Sequence, residues 1–285
     1  MRDETVSLGG RPVHRMGFGA MQLPGPGVLG PPADRETALA VLRRAVEAGV
    51  DHIDTAQFYG PDVANELIHE ALSPYPDELV LVSKVGARRD GEGQWLPAQS
   101  PADLRSAVEA NLRSLGVEQI AVVNLRRIPG SDTAFADQLS AMAALRHEGL
   151  IGGIGLSNVT LDEYATARTE IEVACVQNAY NVTGRHDQAL FDACRADAVP
   201  YVPFFPLGSA FMADNPVLAA PAVVETARRL EATAAQVALA WLLARAPTVL
   251  LIPGTSSLSH LEENLAAGDL VLDDEALGLL DNAAV

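Results

Sequence analysis

The chain has 285 residues, 48% of them hydrophobic, which is enough to build one large α/β domain around its own core. Its formal net charge of −17 at pH 7 argues against a nucleic-acid-binding protein, because no basic stripe is present to neutralise phosphates. No apolar run reaches the roughly 20 residues that cross a bilayer, and the amino-terminal segment lacks the apolar core of a secretory signal, so we expect a cytoplasmic location.

Short apolar segments alternate with amphipathic segments along the chain, after an opening that predicts a small hairpin around Gly9-Gly10. Strands separated by helices form a parallel sheet covered by helices. Strands are predicted at Arg15–Gly19, Asp51–Thr55, Leu79–Lys84, Gln119–Leu125, Ile151–Leu156, Glu172–Gln177, Pro200–Phe205 and Thr248–Ile252. The helices predicted between and after them include Arg35–Ala48, Pro101–Leu115, Phe135–His147, Leu161–Arg168, Asp187–Ala198, Ala234–Arg245 and Leu258–Ala267.

Two α/β architectures fit this alternation, a closed (β/α)8 TIM barrel and an open doubly wound sheet. An open sheet that binds a nucleotide normally carries a glycine-rich turn between its first strand and a helix. Here Gly17-Phe18-Gly19 lacks the third glycine, and a loop rich in glycine and proline follows instead of a helix. The pattern favours the TIM barrel, as a single domain over residues 1–285 with a short N-terminal β-hairpin.

Reactive side chains of such barrels gather at the carboxyl ends of the strands. The second predicted strand contains Asp54 and is soon followed by Tyr59, and the third ends at Lys84. A free tyrosine, with a pKa of about 10, is a poor acid near neutral pH, but an adjacent ammonium lowers the pKa of a phenol, and a carboxylate behind it holds the ammonium charged. These residue types together favour proton donation to a carbonyl oxygen. The alternative is a surface tyrosine near a structural ion pair.

The segment Gly49–Gly60, GVDHIDTAQFYG, resembles the signature of the aldo-keto reductase superfamily, in which the aspartate and the tyrosine are catalytic. Val82-Ser83-Lys84 is similar to the segment that carries the catalytic lysine of that family. The resemblance implies a TIM barrel that reduces an aldehyde or ketone to an alcohol, with Asp54, Tyr59 and Lys84 in catalysis. Further similar segments follow in the same order along the chain: Asn111–Val117, Gly155–Asn158, Gln177 and the stretch from Ile252 to Asn264.

Four other stretches resemble the bacterial pyridoxal reductase-like members of this family: Gly17–Leu23, Gly86–Arg89, Val122–Arg126 and Tyr201–Gly208. They imply reduction of pyridoxal to pyridoxine as the favoured reaction. A ketoreductase for another aldehyde, a sugar or a secondary metabolite is an alternative enzyme. An NADPH-sensing regulatory subunit is an alternative of another class, which retention of the three catalytic residue types disfavours. The implied partner is a small carbonyl substrate, and the oligomeric state stays open.

One catalytic position departs from the family pattern. Where the family usually has a histidine at the end of the fourth strand, this chain has Arg126. A guanidinium does not titrate as an acid, because its pKa exceeds about 12, but it donates hydrogen bonds and stabilises charge on oxygen. We therefore predict that Tyr59 is the proton donor and that Arg126 polarises the carbonyl or binds an adjacent oxyanion such as the pyridoxal phenolate. The alternative is an Arg126 turned aside into a salt bridge.

The resemblance also implies how the cofactor is held. Ser157, Asn158 and Gln177 match positions that contact the nicotinamide carboxamide, and Phe204 matches an aromatic ring that stacks on the nicotinamide. The amides of Leu207 and Gly208 would donate to the pyrophosphate, the N-terminus of the helix that begins at Leu258 would attract phosphate, and Glu263 and Asn264 would face the adenine. The complete predicted set of cofactor-binding residues is Gly19, Ala20, Met21, Asp54, Ser157, Asn158, Gln177, Phe204, Pro206, Leu207, Gly208, Pro253, Gly254, Thr255, Ser256, His260, Glu263 and Asn264.

The predicted preference for NADPH over NADH rests on the resemblance to the pyridoxal reductase-like members of the family. Many relatives carry a lysine and an arginine for the 2′-phosphate where this chain has Gly254 and His260, which reduces the positive charge there. NADPH is still the predicted cofactor, with NADH the less favoured alternative. The histidines show no metal-ligand spacing, so no metal is predicted.

Three further features are interpreted from local pattern. Cys175 and Cys194 lie in apolar segments and are predicted to be buried thiols, and Trp241 is predicted to lie in the core. The loop Ala87–Ser100, with Arg88, Arg89 and Trp95, either forms a wall of the substrate pocket or is a solvated loop.

Overall fold

In a computed structural model of the chain, which describes residues 4–208 and 215–283, a parallel sheet forms the centre of the molecule. It contains β3 (Phe18–Gly19), β4 (His52–Asp54), β5 (Val80–Val85), β8 (Ile120–Arg126), β9 (Ile151–Ser157) and β10 (Val173–Gln177), paired in the order β10-β9-β8-β5-β4-β3. Two antiparallel hairpins lie outside it, one formed by β1 (Thr5–Leu8) and β2 (Arg11–His14), the other by β6 (Ala87–Arg89) and β7 (Trp95–Pro97).

Two more segments close this sheet into a barrel. Tyr201 forms parallel bridges to Val176 on one side and Val249 on the other, and Leu251 forms a parallel bridge to Met16. The sixth, seventh and eighth barrel segments are therefore bridged in turn, and the eighth is bridged to the first. This confirms the (β/α)8 barrel and excludes the open doubly wound sheet.

The last two barrel segments are less regular than predicted. Pro200–Phe205 and Thr248–Ile252 were expected to be full strands, but they make only isolated bridges with their neighbours in the described structure. Pro200 and Pro203 have no N–H groups, so they remove ladder hydrogen bonds. The first predicted strand, Arg15–Gly19, is likewise reduced to Phe18–Gly19 and the bridge at Met16.

Helices cover the outside of the barrel, and several begin at side-chain caps. Ser100 and Asp103 form a capping box at one helix start, and Thr233 and Gln236 form another. The predicted helices are found within two residues of their expected ends, and three more are present at Val63–Leu72, Pro221–Arg229 and Asp274–Asp281. In chain order the helices are α1 (Arg35–Glu47), α2 (Val63–Leu72), α3 (Pro101–Leu115), α4 (Phe135–His147), α5 (Leu161–Glu170), α6 (Gln188–Ala196), α7 (Pro221–Arg229), α8 (Ala234–Arg245), α9 (Leu258–Ala266) and α10 (Asp274–Asp281).

The two-residue period of a strand decides which side chains enter the barrel. In β5, Val80 and Val82 belong to the interior cluster, whereas Leu81 and Val85 pack against the helices. Lys84 has the same parity as Val80 and Val82, so it points into the barrel at the carboxyl end of the strand. The same alternation turns the even-numbered residues of β4 and β8 and the odd-numbered residues of β10 inward.

The N-terminal hairpin closes the amino end of the barrel. Leu8 of β1 and Val13 of β2 are buried in the same interior cluster as Val80 and Val122. Gly9, at the hairpin turn, has a φ of +59°, and a Cβ there would lie 2.5 Å from the Val122 side chain. The predicted hairpin is confirmed. It leaves only the carboxyl end of the barrel open.

Three residues predicted to be interior are buried. Cys175 and Cys194 are free thiols, and burial raises the pKa of Cys175 to about 12. Trp241 is fully buried, stacks on Tyr180 and donates its indole N–H to Asp281 (2.9 Å). Within residues 4–208 and 215–283, no helix combines the length and apolar character required to cross a bilayer.

Candidate active site

A buried ion pair lies at the open end of the barrel. The Lys84 ammonium donates to Asp54 Oδ1 and to the Thr55 carbonyl (3.1 Å). Gln177 Nε2 donates to the other carboxylate oxygen of Asp54 (2.9 Å). Asp54, Lys84 and Gln177 come from three strands, and none is more than 3% exposed. Both oxygens of Asp54 are therefore engaged, and the ammonium is held at a fixed point on the barrel axis.

Tyr59 reaches the same point from the loop after β4. The Lys84 nitrogen lies 5.1 Å from the centre of the Tyr59 ring, and Phe58 packs edge-on against that ring at 5.4 Å. Burial opposes the charge of Lys84, but charge attraction and hydrogen bonding from Asp54 and Tyr59 outweigh it, so the pKa of Lys84 is raised. The structure thus brings the predicted aspartate, tyrosine and lysine together, with a charged lysine beside the phenol.

Arg126, at the end of β8, faces the same region. Its guanidinium donates to Ser157 Oγ (3.2 Å) and lies 5.2 Å from the centre of the Phe204 ring. Burial lowers the pKa of Arg126, while Tyr59 and Asp54 act in the opposite direction. Within the described part of the chain, no carboxylate oxygen lies within 4.0 Å of this guanidinium, so the alternative salt bridge is not found among those residues.

Two adjoining cavities open above these residues. The larger has a volume of about 260 Å³ and the smaller about 180 Å³, and Tyr59, Lys84 and Gln177 line both. The other residues of the larger cavity are Gly19, Met21, Gln22, Asp54, Phe204, Phe205, Pro206, Leu207, Gly208, Asn215, Leu218, Ile252, Pro253 and Gly254. The other residues of the smaller cavity are Met21, Phe58, Trp95, Arg126, Ile128, Phe204 and Phe205.

Ten of the predicted cofactor-binding residues line the larger cavity. Its wall between the first and last barrel segments is formed where Gly19 and Gly254 approach closely. A Cβ on Gly254 would lie 2.3 Å from the Gly19 carbonyl oxygen, so neither position has room for a side chain. The ten residues are Gly19, Met21, Asp54, Gln177, Phe204, Pro206, Leu207, Gly208, Pro253 and Gly254.

The three residues predicted to hold the carboxamide are not at one place. Gln177 lines both cavities, but Ser157 is fully buried and accepts from Arg126. Asn158 has a φ of +57° and donates its amide to the Arg127 carbonyl (2.9 Å), so its side chain lines a separate cleft. The left-handed backbone at Asn158 ends the strand and directs the side chain away from the barrel axis.

The turn after the seventh barrel segment is held from within the protein. Gly208, predicted to donate its amide to the pyrophosphate, donates it to the Phe205 carbonyl (3.0 Å). Asn181 and Asn215 donate to the carbonyls of Phe205 (3.1 Å) and Leu207 (2.6 Å). Gly208 therefore lines the larger cavity with an amide that is already bonded.

The remaining predicted residues lie beyond the larger cavity, at and within α9. Thr255 accepts from the Ser257 amide (3.1 Å), and Ser257 caps α9 by accepting from the His260 amide (3.4 Å). Thr255 and Asn264 are buried, and Ser256 and His260 are exposed. Of the predicted set, Ala20, Ser157, Asn158, Thr255, Ser256, His260, Glu263 and Asn264 do not line the larger cavity.

Sequence reasoning missed several lining residues. Asn215 and Leu218 lie after the seventh segment in the chain, and no local sequence pattern indicates that they approach the barrel. Phe58 had a local signal, because it precedes Tyr59 in the motif. The loop Ala87–Ser100 contains the hairpin of β6 and β7, and its Trp95 packs on Phe58 (5.3 Å) and lines the smaller cavity, which supports the pocket-wall interpretation.

A buried polar network holds the catalytic strands from behind. Asn111 of α3 accepts from Ser83 Oγ (2.6 Å) and from Asn65 Nδ2 (2.9 Å), and Asn65 accepts from Thr55 Oγ1 (2.8 Å). Ser83 and Thr55 are the chain neighbours of Lys84 and Asp54. The network ties α2 and α3 to the two strands that carry the ion pair.

We expect Asn111→Leu to lower the free energy of unfolding by about 1–3 kcal/mol, because buried donors on Asn65 and Ser83 lose their acceptor. Urea unfolding measures the change. Asn282→Leu, at an exposed position at the end of α10, is the matched control. Equal stability of the two variants would contradict the role of the network.

No group of three or more His, Cys, Asp or Glu side chains with the arrangement of a metal site occurs in residues 4–208 and 215–283.

Comparison with known proteins adds evidence independent of this geometry. The sequence profile of the Aldo/keto reductase family matches residues 15–284. The pyridoxine 4-dehydrogenase of Escherichia coli strain K12 is 50% identical, with 99% of this chain and 98% of that protein aligned. An uncharacterised oxidoreductase of Schizosaccharomyces pombe is 39% identical, with 97% and 89% aligned. A crystal structure of an aldo-keto reductase from Klebsiella pneumoniae in complex with NADPH has a TM-score of 0.83 and 27% identity, covering 99% of this chain and 95% of that one.

Proposed function

The chain belongs to the aldo/keto reductase family, and from this premise we propose that it reduces an aldehyde to an alcohol with NADPH, with Tyr59 as the proton donor. One observation carries the mechanism. Tyr59 lies beside a buried Lys84–Asp54 ion pair on the floor of two adjoining cavities. The larger cavity has room for the nicotinamide ring beside the phenol, and the smaller one has room for the substrate.

The larger cavity fits the nicotinamide end of the proposed cofactor. Gln177 Oε1 is buried there and has no hydrogen-bond partner among the residues that the structure describes, while its Nε2 is occupied by Asp54. A carboxamide N–H₂ group is a donor that would satisfy this acceptor. Phe204 presents an aromatic side chain to both cavities. The Klebsiella pneumoniae relative with NADPH supports the same cofactor here, and NADH is the less favoured one.

When bound, NADPH supplies the hydride. The Tyr59 hydroxyl donates its proton to the carbonyl oxygen, and the Lys84 ammonium stabilises the phenolate that remains. Asp54 and the Thr55 carbonyl keep that ammonium in position through two hydrogen bonds. Arg126 donates to the oxygen as negative charge develops on it. Its guanidinium stays charged throughout, so it replaces the usual histidine as a donor and not as an acid.

We propose pyridoxal as the substrate and pyridoxine as the product. The support is the 50% identity, over almost all of both chains, to a pyridoxine 4-dehydrogenase, whose name describes the reverse direction of this reaction. The aromatic walls of the smaller cavity, including Phe58 and Trp95, suit a flat ring. The family match, which spans residues 15–284, supports the predicted single domain over residues 1–285. The cytoplasmic location expected from the sequence stays a prediction.

Turnover by the purified full chain tests the proposal. We expect NADPH oxidation that depends on pyridoxal, with one pyridoxine formed per NADPH consumed, and a lower kcat/KM when NADH replaces NADPH. A panel containing a sugar aldehyde and a simple ketone tests the broader ketoreductase alternative. Tight NADPH binding without turnover of any carbonyl would contradict the proposal and favour the regulatory subunit.

A further inference from the structure

The smaller cavity contains a cation, Arg126, that no carboxylate of the described residues neutralises. Arg126 has Ser157 Oγ as a side-chain partner, and within residues 4–208 and 215–283 no carboxylate lies within salt-bridge distance. Its chain neighbour shows the contrast, because Arg127 is paired with Glu163 (2.9 Å) and also donates to Gln138 (2.8 Å). A partly buried guanidinium with free donors favours an anionic oxygen as its ligand.

The charges around the cavity support this conclusion. Among the described residues that line it, Lys84 and Arg126 are the charged ones, and the charge of Lys84 is compensated by Asp54. One positive charge is left over, in a protein whose formal net charge is −17. A neutral carbonyl would leave that charge uncompensated, whereas a substrate with one negative oxygen would compensate it at short range.

The shape of the cavity restricts what carries the negative oxygen. Phe58, Trp95, Phe204 and Phe205 form aromatic walls, and the Arg126 guanidinium lies 5.2 Å from the centre of the Phe204 ring. Tyr59 and Arg126 line the same cavity of about 180 Å³, so one small substrate can place its carbonyl oxygen at Tyr59 and a second oxygen at Arg126. An aryl aldehyde with an ionised ortho oxygen carries both oxygens on one flat ring, which suits the aromatic walls.

We infer that Arg126 is a specificity-determining residue that selects aryl aldehydes carrying an ionised oxygen ortho to the carbonyl. This inference rests on the proposed function and specifies the substrate class of the same site. One guanidinium N–H donates to the carbonyl oxygen beside Tyr59, and a second donates to the ortho oxygen. In the reaction the carbonyl carbon receives the hydride, the carbonyl oxygen receives the Tyr59 proton, and the ortho oxygen keeps its charge on Arg126.

Steady-state kinetics with simple aldehydes tests the inference without pyridoxal. With saturating NADPH, kcat/KM is measured for salicylaldehyde, 2-methoxybenzaldehyde and 4-hydroxybenzaldehyde. We expect salicylaldehyde to exceed the other two by about 10- to 100-fold, the effect of one charge-assisted hydrogen bond. The ratio of salicylaldehyde to 2-methoxybenzaldehyde should rise as the pH rises through the pKa of the salicylaldehyde phenol, because only its ionised form compensates the guanidinium.

Variants test whether the preference for salicylaldehyde depends on Arg126. Arg126→Met should bring the salicylaldehyde to 2-methoxybenzaldehyde ratio close to one, and Arg126→Lys should retain part of it, because an ammonium keeps the charge but lacks the planar fork. Arg88→Met is the matched control, because Arg88 lies in the hairpin of β6 and β7, is exposed and lines neither cavity. The ratio of salicylaldehyde to 2-methoxybenzaldehyde in this variant should equal that of the unchanged protein.

Three results would overturn the inference. They are equal kcat/KM for all three aldehydes in the unchanged protein, a preference that survives Arg126→Met, and an Arg126-dependent preference for phenylglyoxylate over salicylaldehyde, which would assign the site to a carboxylate instead. Each of these leaves carbonyl reduction standing. Absence of turnover with every carbonyl, by contrast, would remove the proposed function and the inference with it.

Discussion

Tyr59→Phe is expected to lower kcat for carbonyl reduction by about 10²- to 10⁴-fold, the usual contribution of a positioned proton donor. The change removes one oxygen atom and keeps the ring. The contact with Phe58 and the position over the Lys84 ammonium are therefore retained. Because Lys84 cannot take over at the carbonyl oxygen while Asp54 and the Thr55 carbonyl hold it, we expect no rescue from within the site.

Measurements on this variant separate chemistry from structure. Thermal unfolding and NADPH binding should be close to those of the unchanged protein, while single-turnover reduction is slow. Tyr75→Phe removes a hydroxyl that donates to the Leu115 carbonyl (2.7 Å) outside both cavities, and it should leave kcat unaltered. A Tyr59→Phe enzyme that keeps kcat within a few-fold would show that another group donates the proton.

Lys84→Met is expected to lower the free energy of unfolding by about 3–5 kcal/mol, as well as to abolish most turnover, because it leaves the buried Asp54 carboxylate without its cation. Gln177 would still donate one hydrogen bond to that carboxylate. The pKa of Lys84 is raised in the fold, so the contribution of the pair is fully present below the ordinary lysine pKa of about 10.4 and is lost as the pH rises through the folded value. The contribution of Lys84 to the stability of the unchanged protein should therefore be constant across neutral pH.

A double-mutant cycle measures the interaction energy between Asp54 and Lys84. Asp54→Asn combined with Lys84→Met removes both charges and keeps an acceptor for Gln177, so it should recover much of the stability lost in Lys84→Met but not the activity. Arg105→Met breaks the exposed pair with Glu148 and should have a much smaller effect, because solvent screens that pair. Additive effects of Asp54→Asn and Lys84→Met would contradict direct coupling of the two residues.

The parts of the site that the sequence predicted share a simple geometric origin. Asp54, Lys84 and Gln177 end short apolar strands, and parallel strands of a closed barrel bring their carboxyl ends to one face. Strand parity then turns all three inward. Ser157 ends a strand in the same way, but the group it meets there is Arg126, a contact that the spacing of residues along the chain does not indicate.

The parts that the sequence did not predict depend on loops and on single backbone torsions. Asn158 ends a strand like Ser157, yet its left-handed backbone turns its amide to the Arg127 carbonyl and out of the barrel. Asn215 lines the larger cavity, and no periodic pattern in the sequence indicates that its segment approaches the barrel.

By itself, the sequence predicted the alternation of strands and helices, favoured the closed barrel over the open sheet, and indicated which residue types face its open end, because periodicity and strand-end position are local properties of the chain. Only the tertiary structure decided that Gln177 binds Asp54 through its amide nitrogen. Likewise, only the tertiary structure decided that, among the described residues, its amide oxygen finds no hydrogen-bond partner and Arg126 finds no carboxylate. These outcomes depend on which side chains meet across the barrel from positions far apart in the chain, where small differences in distance determine whether a charge is neutralised or left for a substrate.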